Sequence, residues 1–328
     1  MKKIFIITII ICSFLTGCKI TGNKNVIDKI IKNYNNSKGY KLTGDLEIIN
    51  NDDVYNYSIS SEFDKKRGYY KVLLKNKSND FEQIILKNGD GVFLVTPSLN
   101  KSFKFSSDWP YNNSQIYLYD TIVKDIDKDK NRSFEFKNDK YIFNTKVHYS
   151  NNSKFIKQKI IYDKNYNLKQ VDVYDNDNNL CMKLTINEIS FSNKFNSDYF
   201  DMNYNKELAN SEKTMKIDDI IYPLFLPSGT KLVEEKKIDK SEGQRVIMTY
   251  DGEKNFLLVE ETLDVFNNMT IIPSSGEPFQ LMDTIGVMNN NSLSWISGNM
   301  EYYLVSDVMG KDELVEIAQS IVGLSSIK

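Results

Sequence analysis

Between residues 40 and 191 the chain alternates apolar and polar positions in short runs separated by polar turns. In 40–48, Tyr40, Leu42, Leu46 and Ile48 fall on one face of an extended strand, and 55–59 alternates in the same way. Denser β-rich runs occupy 69–74, 81–86 and 92–95, and further strands are expected at 133–136, 141–149, 157–162, 168–174 and 180–191. The breaks are turn-like: Asn88-Gly89-Asp90-Gly91, Asn138-Asp139-Lys140, 163–167 and 175–179. Closely spaced strands with polar turns predict an antiparallel meander and not alternating βαβ units.

Two helices interrupt or precede this pattern. Val26, Ile27, Ile30, Ile31 and Tyr34 have the spacing of an amphipathic helix over 25–34. After Trp109-Pro110, the segment 114–126 places Ile116, Tyr119, Ile122, Val123 and Ile126 at three- and four-residue steps, the face of a second helix. The meander is expected to have a polar outer face and an apolar, aromatic inner face covered by these two helices. Polar residues break the pattern at 203–215. Beyond Tyr222-Pro223, strands are expected at 245–250, 256–261, 284–288, 292–296 and 300–306. A closing helix from 311 to 322 carries Leu314, Ile317, Ala318 and Ile321 on one stripe, with Asp312 and Glu313 at its N-terminus. The fold class is therefore α+β, with a meander domain over 23–205 and a smaller α+β domain over 215–328.

The N-terminus adds a location. Met1-Lys2-Lys3 is followed by 12 largely apolar residues, Ile4 to Leu15, and then Thr16-Gly17-Cys18. A helix of that length spans roughly 18 Å, short of a hydrocarbon core of about 30 Å, which disfavours a retained transmembrane segment. An A-x-A-like secretory cleavage site is missing. Leu15-Thr16-Gly17-Cys18 resembles the lipobox of bacterial lipoproteins. That resemblance implies a signal peptide over 1–17, cleavage between Gly17 and Cys18, and a diacylglycerol (with palmitate-type acyl chains) on the Cys18 thiol. Residues 18–22 form a short tether, and two acyl chains suffice for stable attachment to the outer face of the cell membrane.

Composition fits that picture. Of three cysteines, Cys12 leaves with the leader and Cys18 carries lipid, so Cys181 remains as a lone thiol packed in a strand. With no disulfide, the core alone holds the fold. A formal net charge of −2 gives no basic footprint for nucleic acid. The heavy use of Asn, Lys, Ile and Tyr resembles that of AT-rich Firmicute genomes.

Catalytic signatures are missing. The single histidine, His148, shares a strand face with Asn144 and Lys146 on the solvent side. One histidine and one thiol cannot assemble a zinc site. Asp125 to Ser133 begins like a calcium loop, but Lys130 stands where glycine is needed and Phe136 where glutamate is needed. Glu234-Glu235 and Glu260-Glu261 read as surface charges. No G-x-S-x-G, P-loop or dinucleotide fingerprint occurs. The expectation is a non-enzymatic protein without cofactor or metal.

The stretch Leu86 to Pro97, the Trp109-Pro110 pair and the helix following Tyr117-Leu118 resemble the LolA/LolB-type fold. The chain also resembles the Firmicute envelope lipoproteins related to YdcC and the germination lipoprotein GerS. The C-terminal stretches Tyr250-Asp251-Gly252, Trp295 to Gly298 and Tyr302-Tyr303-Leu304 are similar to a small domain found at the ends of Firmicute envelope proteins. The resemblance implies an antiparallel incomplete β-barrel with capping helices, enclosing a greasy cavity. Tyr40, Leu42, Leu46, Ile48, Tyr141, Phe143 and Val147 are the candidate lining of that cavity. A Gram-positive-type envelope has no outer membrane to supply, so the fold is carried over and the cargo is not. The expected function is binding of a hydrophobic ligand, a lipid, acyl chain or lipoprotein, in the half-barrel. The alternative is a scaffold or activator of an envelope or spore peptidoglycan-modifying enzyme, acting through protein contacts.

Overall fold

The computed structural model describes residues 23–50, 53–110, 113–149, 152–191, 194–206, 220–240, 243–266, 268–297 and 300–325. The expected leader, Gly17, Cys18 and the tether lie outside the described residues, as do 207–215 of the expected boundary.

Helix α1, Asn23–Asn36, buries Val26, Ile27 and Ile30 along one stripe. Its C-terminal carbonyls of Tyr34 and Asn35 accept the Lys65 ammonium at 3.3 and 2.9 Å, a cation placed where the helix dipole is negative. A run of strands follows: β1 Gly39–Asn50, β2 Asp53–Asp64, β3 Tyr69–Asn76, β4 Glu82–Asn88, β5 Gly91–Thr96 and β6 Lys101–Phe105. Helix α2, Tyr119–Lys128, interrupts them. Then come β7 Ser133–Lys137, β8 Lys140–Lys146, β9 Lys157–Asp163, β10 Leu168–Tyr174 and β11 Leu180–Ser190. A short α3, Met202–Lys206, ends this half.

The second half contains β12 Lys231–Asp239, β13 Gln244–Asp251, β14 Phe256–Thr262, β15 Thr270–Ser274, β16 Glu277–Gln280, β17 Ile285–Met288, β18 Ser292–Ser297 and β19 Met300–Val305. Helix α4, Lys311–Ser325, closes the chain, with Leu314, Ile317, Ala318 and Ile321 fully buried.

Among the described residues twelve strands form the first sheet, in the order β15-β6-β5-β4-β3-β2-β1-β11-β10-β9-β8-β7. The sheet is open, ending at β15 and β7, and α1 and α2 cover its apolar face. This is the expected incomplete barrel with capping helices. A second sheet of seven strands, β12-β13-β14-β19-β18-β17-β16, carries α4 on one face. The alternation in β1 holds position by position, since Tyr40, Leu42, Leu46 and Ile48 are all buried while Lys41 is exposed.

Four features depart from the sequence reading. Glu260, read as a surface charge, is fully buried in β14, where its carboxylate accepts the Ile221 N–H at 3.0 Å. The helix expected over 114–126 begins only at Tyr119. Ser114 N–H bonds the His148 carbonyl at 2.7 Å and Gln115 N–H bonds the Thr121 hydroxyl at 3.1 Å, so these donors are committed outside a helical ladder. The outer face of the meander is not polar throughout. Ile84, Leu86, Phe93 and Val95 point to the outer side of β4 and β5, where Phe200 is buried on them with Phe195, Tyr199 and Met202 alongside. Runs such as Ile84-Ile85-Leu86 are the mark of strands buried on both faces. Finally, the antiparallel meander takes in a strand from outside its own sequence range. β15, from the C-terminal half, runs parallel to β6, pairing Thr270 with Lys101 through Ser274 with Phe105.

Candidate functional site

The interior of the half-barrel is built by β1, β2, β8 and the two capping helices. Tyr119 of α2 sits against Tyr40 of β1 at 5.9 Å between ring centroids, against Tyr34 of α1 at 6.0 Å and against Phe191 at 5.0 Å. Ile122, Val123 and Ile126 follow it along the helix and are buried. Of the residues expected to line a cavity, Tyr40, Leu42, Leu46, Ile48, Tyr141 and Phe143 all lie in this packed core, and Val147 is half-buried just past β8. Thr145, which shares that β8 face, is buried too.

Two carboxylates fix α2 to the sheet. Asp120 accepts the Tyr40 and Tyr70 phenols, each at 2.9 Å. Burial pushes its carboxyl above the usual range, and the two phenol donors partly oppose that. Asp125 accepts the Gln158 amide at 2.8 Å, and burial raises its pKa to about 6. Both carboxylates are spent on holding the helix. Asp125, the first residue of the calcium-like sequence, therefore faces the core and not a loop cation. No group of three metal-ligating side chains occurs among the described residues. His148 is exposed, and Cys181 is half-buried in β11, with burial pushing its thiol to about 11.

Open space lies elsewhere. A cavity of about 40 Å³ sits where Ile116, Tyr117, Tyr149 and Phe155 meet Phe279 of β16. A much wider groove, about 640 Å³, runs between the two sheets. Its floor is the face of the second sheet turned away from α4: Ile247 of β13, Val259 of β14 and Tyr303 of β19, the last 41% exposed. Ile272 and Pro273 of β15 form one wall. Two ion pairs border it. Lys101 reaches both Glu301 oxygens at 2.5 and 2.6 Å, and Arg245 Nε donates to Glu261 at 2.6 Å. Asn289 accepts the Ser274 and Ser275 hydroxyls at 3.3 and 3.2 Å. The tight β15–β16 turn needs Gly276, because a Cβ there would come within 2.1 Å of the Met288 carbonyl oxygen. A volume of this size is that of a ligand or peptide site.

The two sheets are joined by buried polar contacts as well as by β15. Gln83 of β4 donates to the Ile285 carbonyl at 2.9 Å and accepts its N–H at 2.6 Å. Tyr57 donates to the Met282 carbonyl at 2.8 Å. The Asn76 amide of β3 donates to the Asp283 carbonyl at 3.4 Å; within the second half the Asp283 carboxylate accepts the Ser297 hydroxyl at 2.5 Å, and burial raises its pKa to about 6. The groove was missed in the sequence because β12, β15 and β16, three of the strands that shape this half, give weak local signals. The isoleucines before Pro273 were the available hint.

No protein-family model matches the chain. Among solved structures, it is similar to a LolA-superfamily protein from Nitrosomonas europaea (12% identity, 56% of this chain and 98% of that one, TM-score 0.31). It is also similar to the CwlD amidase–GerS lipoprotein complex of Clostridioides difficile (14% identity, 53% of this chain and 94% of that one, TM-score 0.19). Neither likeness carries a functional argument. Sequence similarity is far stronger to the Sporulation protein YdcC of Bacillus subtilis (strain 168): 38% identity over 306 residues, 92% of this chain and 89% of that protein. The chain belongs to the family of that sporulation protein.

Proposed function

We propose that the protein is a lipid-anchored envelope lipoprotein that acts in sporulation as a binding scaffold, recognising a protein partner through the inter-sheet groove. The observation that carries this reading is the contrast between interior and groove. Among the described residues the half-barrel's interior is packed by its own helices, and the cavity beside that core measures about 40 Å³, whereas ligand pockets run to roughly 300–1,000 Å³. The groove offers about 640 Å³ with an apolar floor and a polar rim. The sporulation setting comes from the relative's name, and the anchor from the lipobox. The protein is proposed to be non-enzymatic, because Asp120, Asp125 and Asp283 are held in structural hydrogen bonds.

Crosslinking the full-length protein in membranes of sporulating cells, followed by affinity purification and lipid extraction, tests this reading. The scaffold reading expects one stoichiometric protein partner, lost with Tyr303→Ala, and no stoichiometric lipid beyond the anchor. A stoichiometric bound acyl lipid without a protein partner would establish a carrier instead.

A further inference from the structure

Strand register gives the half-barrel two unlike ends. At one end lie the start of β1, the β2–β3, β4–β5, β7–β8 and β9–β10 turns and the end of β11, as the pairs Gly39–Asp64, Lys41–Ser190, Tyr70–Lys87 and Lys140–Asp163 fix. Helix α1 lies along this end. Lys29 donates to the Tyr166 phenol in the β9–β10 turn at 2.8 Å, and Lys65 of the β2–β3 turn holds the helix C-terminus. The second sheet sits toward the other end, through Tyr57, Gln83 and the pair of Lys154 in the β8–β9 connection with Glu316 of α4.

The α1 end is basic in a chain whose net charge is −2. Ser37, Lys38, Asp64, Lys65, Lys66 and Lys194 line a cleft of about 570 Å³ there. Asp64 is taken by Arg67 at 2.8 Å, whereas Lys38, Lys66 and Lys194 are exposed and have no ion-pair partner among the described residues. Lys137 and Lys140 flank the β7–β8 turn on the same end, equally exposed. The α1 sequence adds three lysines against one aspartate.

We infer that this end is a membrane-docking surface for anionic phospholipid headgroups, holding the half-barrel upright with the second sheet and its groove turned away from the bilayer. The inference rests on the reading that Cys18 is acylated. Five residue steps separate Cys18 from Asn23, a reach of roughly 18 Å, so the start of α1 must lie close to the bilayer. Asn23 is in turn about 9 Å along the helix from the Lys29 contact on the basic end. A lysine-rich surface held that close to a negatively charged leaflet is attracted to it, and the attraction decays within a Debye length.

The test uses the chain without residues 1–18, which keeps every described residue. Its sedimentation with vesicles is compared between phosphatidylcholine alone and an equal mixture with phosphatidylglycerol, at low and high salt. The expected result is salt-sensitive binding to the anionic vesicles only. The K38Q/K66Q/K194Q variant should weaken it roughly a hundred-fold, about five-fold per lysine, while K231Q/K236Q/K237Q on β12 should leave it unchanged. Equal binding to both vesicles, no binding, or equal loss in the two variants would overturn the inference. Mass spectrometry of the mature N-terminus from cells decides separately whether Cys18 carries lipid, so the two failures are distinguishable.

Discussion

Breaking the Lys101–Glu301 pair should destabilise both sheets together. Lys101 lies on β6 of the first sheet and Glu301 on β19 of the second, and their side chains are only 8% and 16% exposed. Removing one partner from a buried pair leaves an uncompensated charge, at about 3–5 kcal/mol. Lys101→Met and Glu301→Gln should each lose that much, a fall in Tm of roughly 6–20 °C for a unit of this size. The double variant Lys101→Met/Glu301→Leu removes both charges and should recover most of the loss, because well-packed apolar replacements are about neutral or better. The two tryptophans make the assay direct. Trp109 packs on Tyr70 over the first sheet and Trp295 stacks on Tyr302 in the second, both almost fully buried. Urea titrations followed by fluorescence in Trp109→Phe and Trp295→Phe backgrounds report each sheet separately. The expected result is coincident transitions, shifted equally by the single substitutions. Losses under about 1 kcal/mol, or a transition at one tryptophan only, would refute the view that the pair ties the sheets into one cooperative body.

Three further outcomes are expected. Asp283 has its folded-state pKa raised to about 6, so the folded state takes up a proton before the unfolded chain does. Its contribution to stability should therefore grow as pH falls from above 6 toward 4, by about 3 kcal/mol, and Asp283→Asn should flatten that part of a pH–stability profile measured by urea titration. Ile122→Ala in α2 should lose about 2–5 kcal/mol in the same titration, as buried isoleucine truncations do, with a cavity left beneath the helix. Cys181, with its thiol raised to about 11 from 9.0, holds about a hundred-fold less thiolate at pH 8 when folded, and since that thiolate is the stronger nucleophile it should react with a disulfide reagent about ten-fold more slowly than after unfolding.

Much of the first sheet could be read from residue patterns because its strands face the core on one side and solvent on the other. Tyr40, Leu42, Leu46 and Ile48 announce their face by alternation alone. β12 could not be read this way: nearly all of Lys231–Asp239 is exposed, and the strand exists through its backbone pairing with β13, which leaves no apolar period. β15 and β16 carry Pro273 and Pro278, residues that argue against strands unless an edge tolerates them, and both strands are sheet edges. The groove is assembled from segments about 140 to 200 residues apart, so no local pattern could reveal it. The same limit hid the basic end of the half-barrel. Lys38, Lys66, Lys137 and Lys194 are scattered along the chain and meet only when register brings their turns to one rim.

The most direct test of a filled interior is native mass spectrometry of the chain without residues 1–18 after incubation with palmitic acid. The expected result is the mass of the bare polypeptide, because α1 and α2 already occupy the space an acyl chain would need. A one-to-one fatty-acid adduct that survives transfer, and disappears when α2 is crosslinked to the sheet, would contradict it.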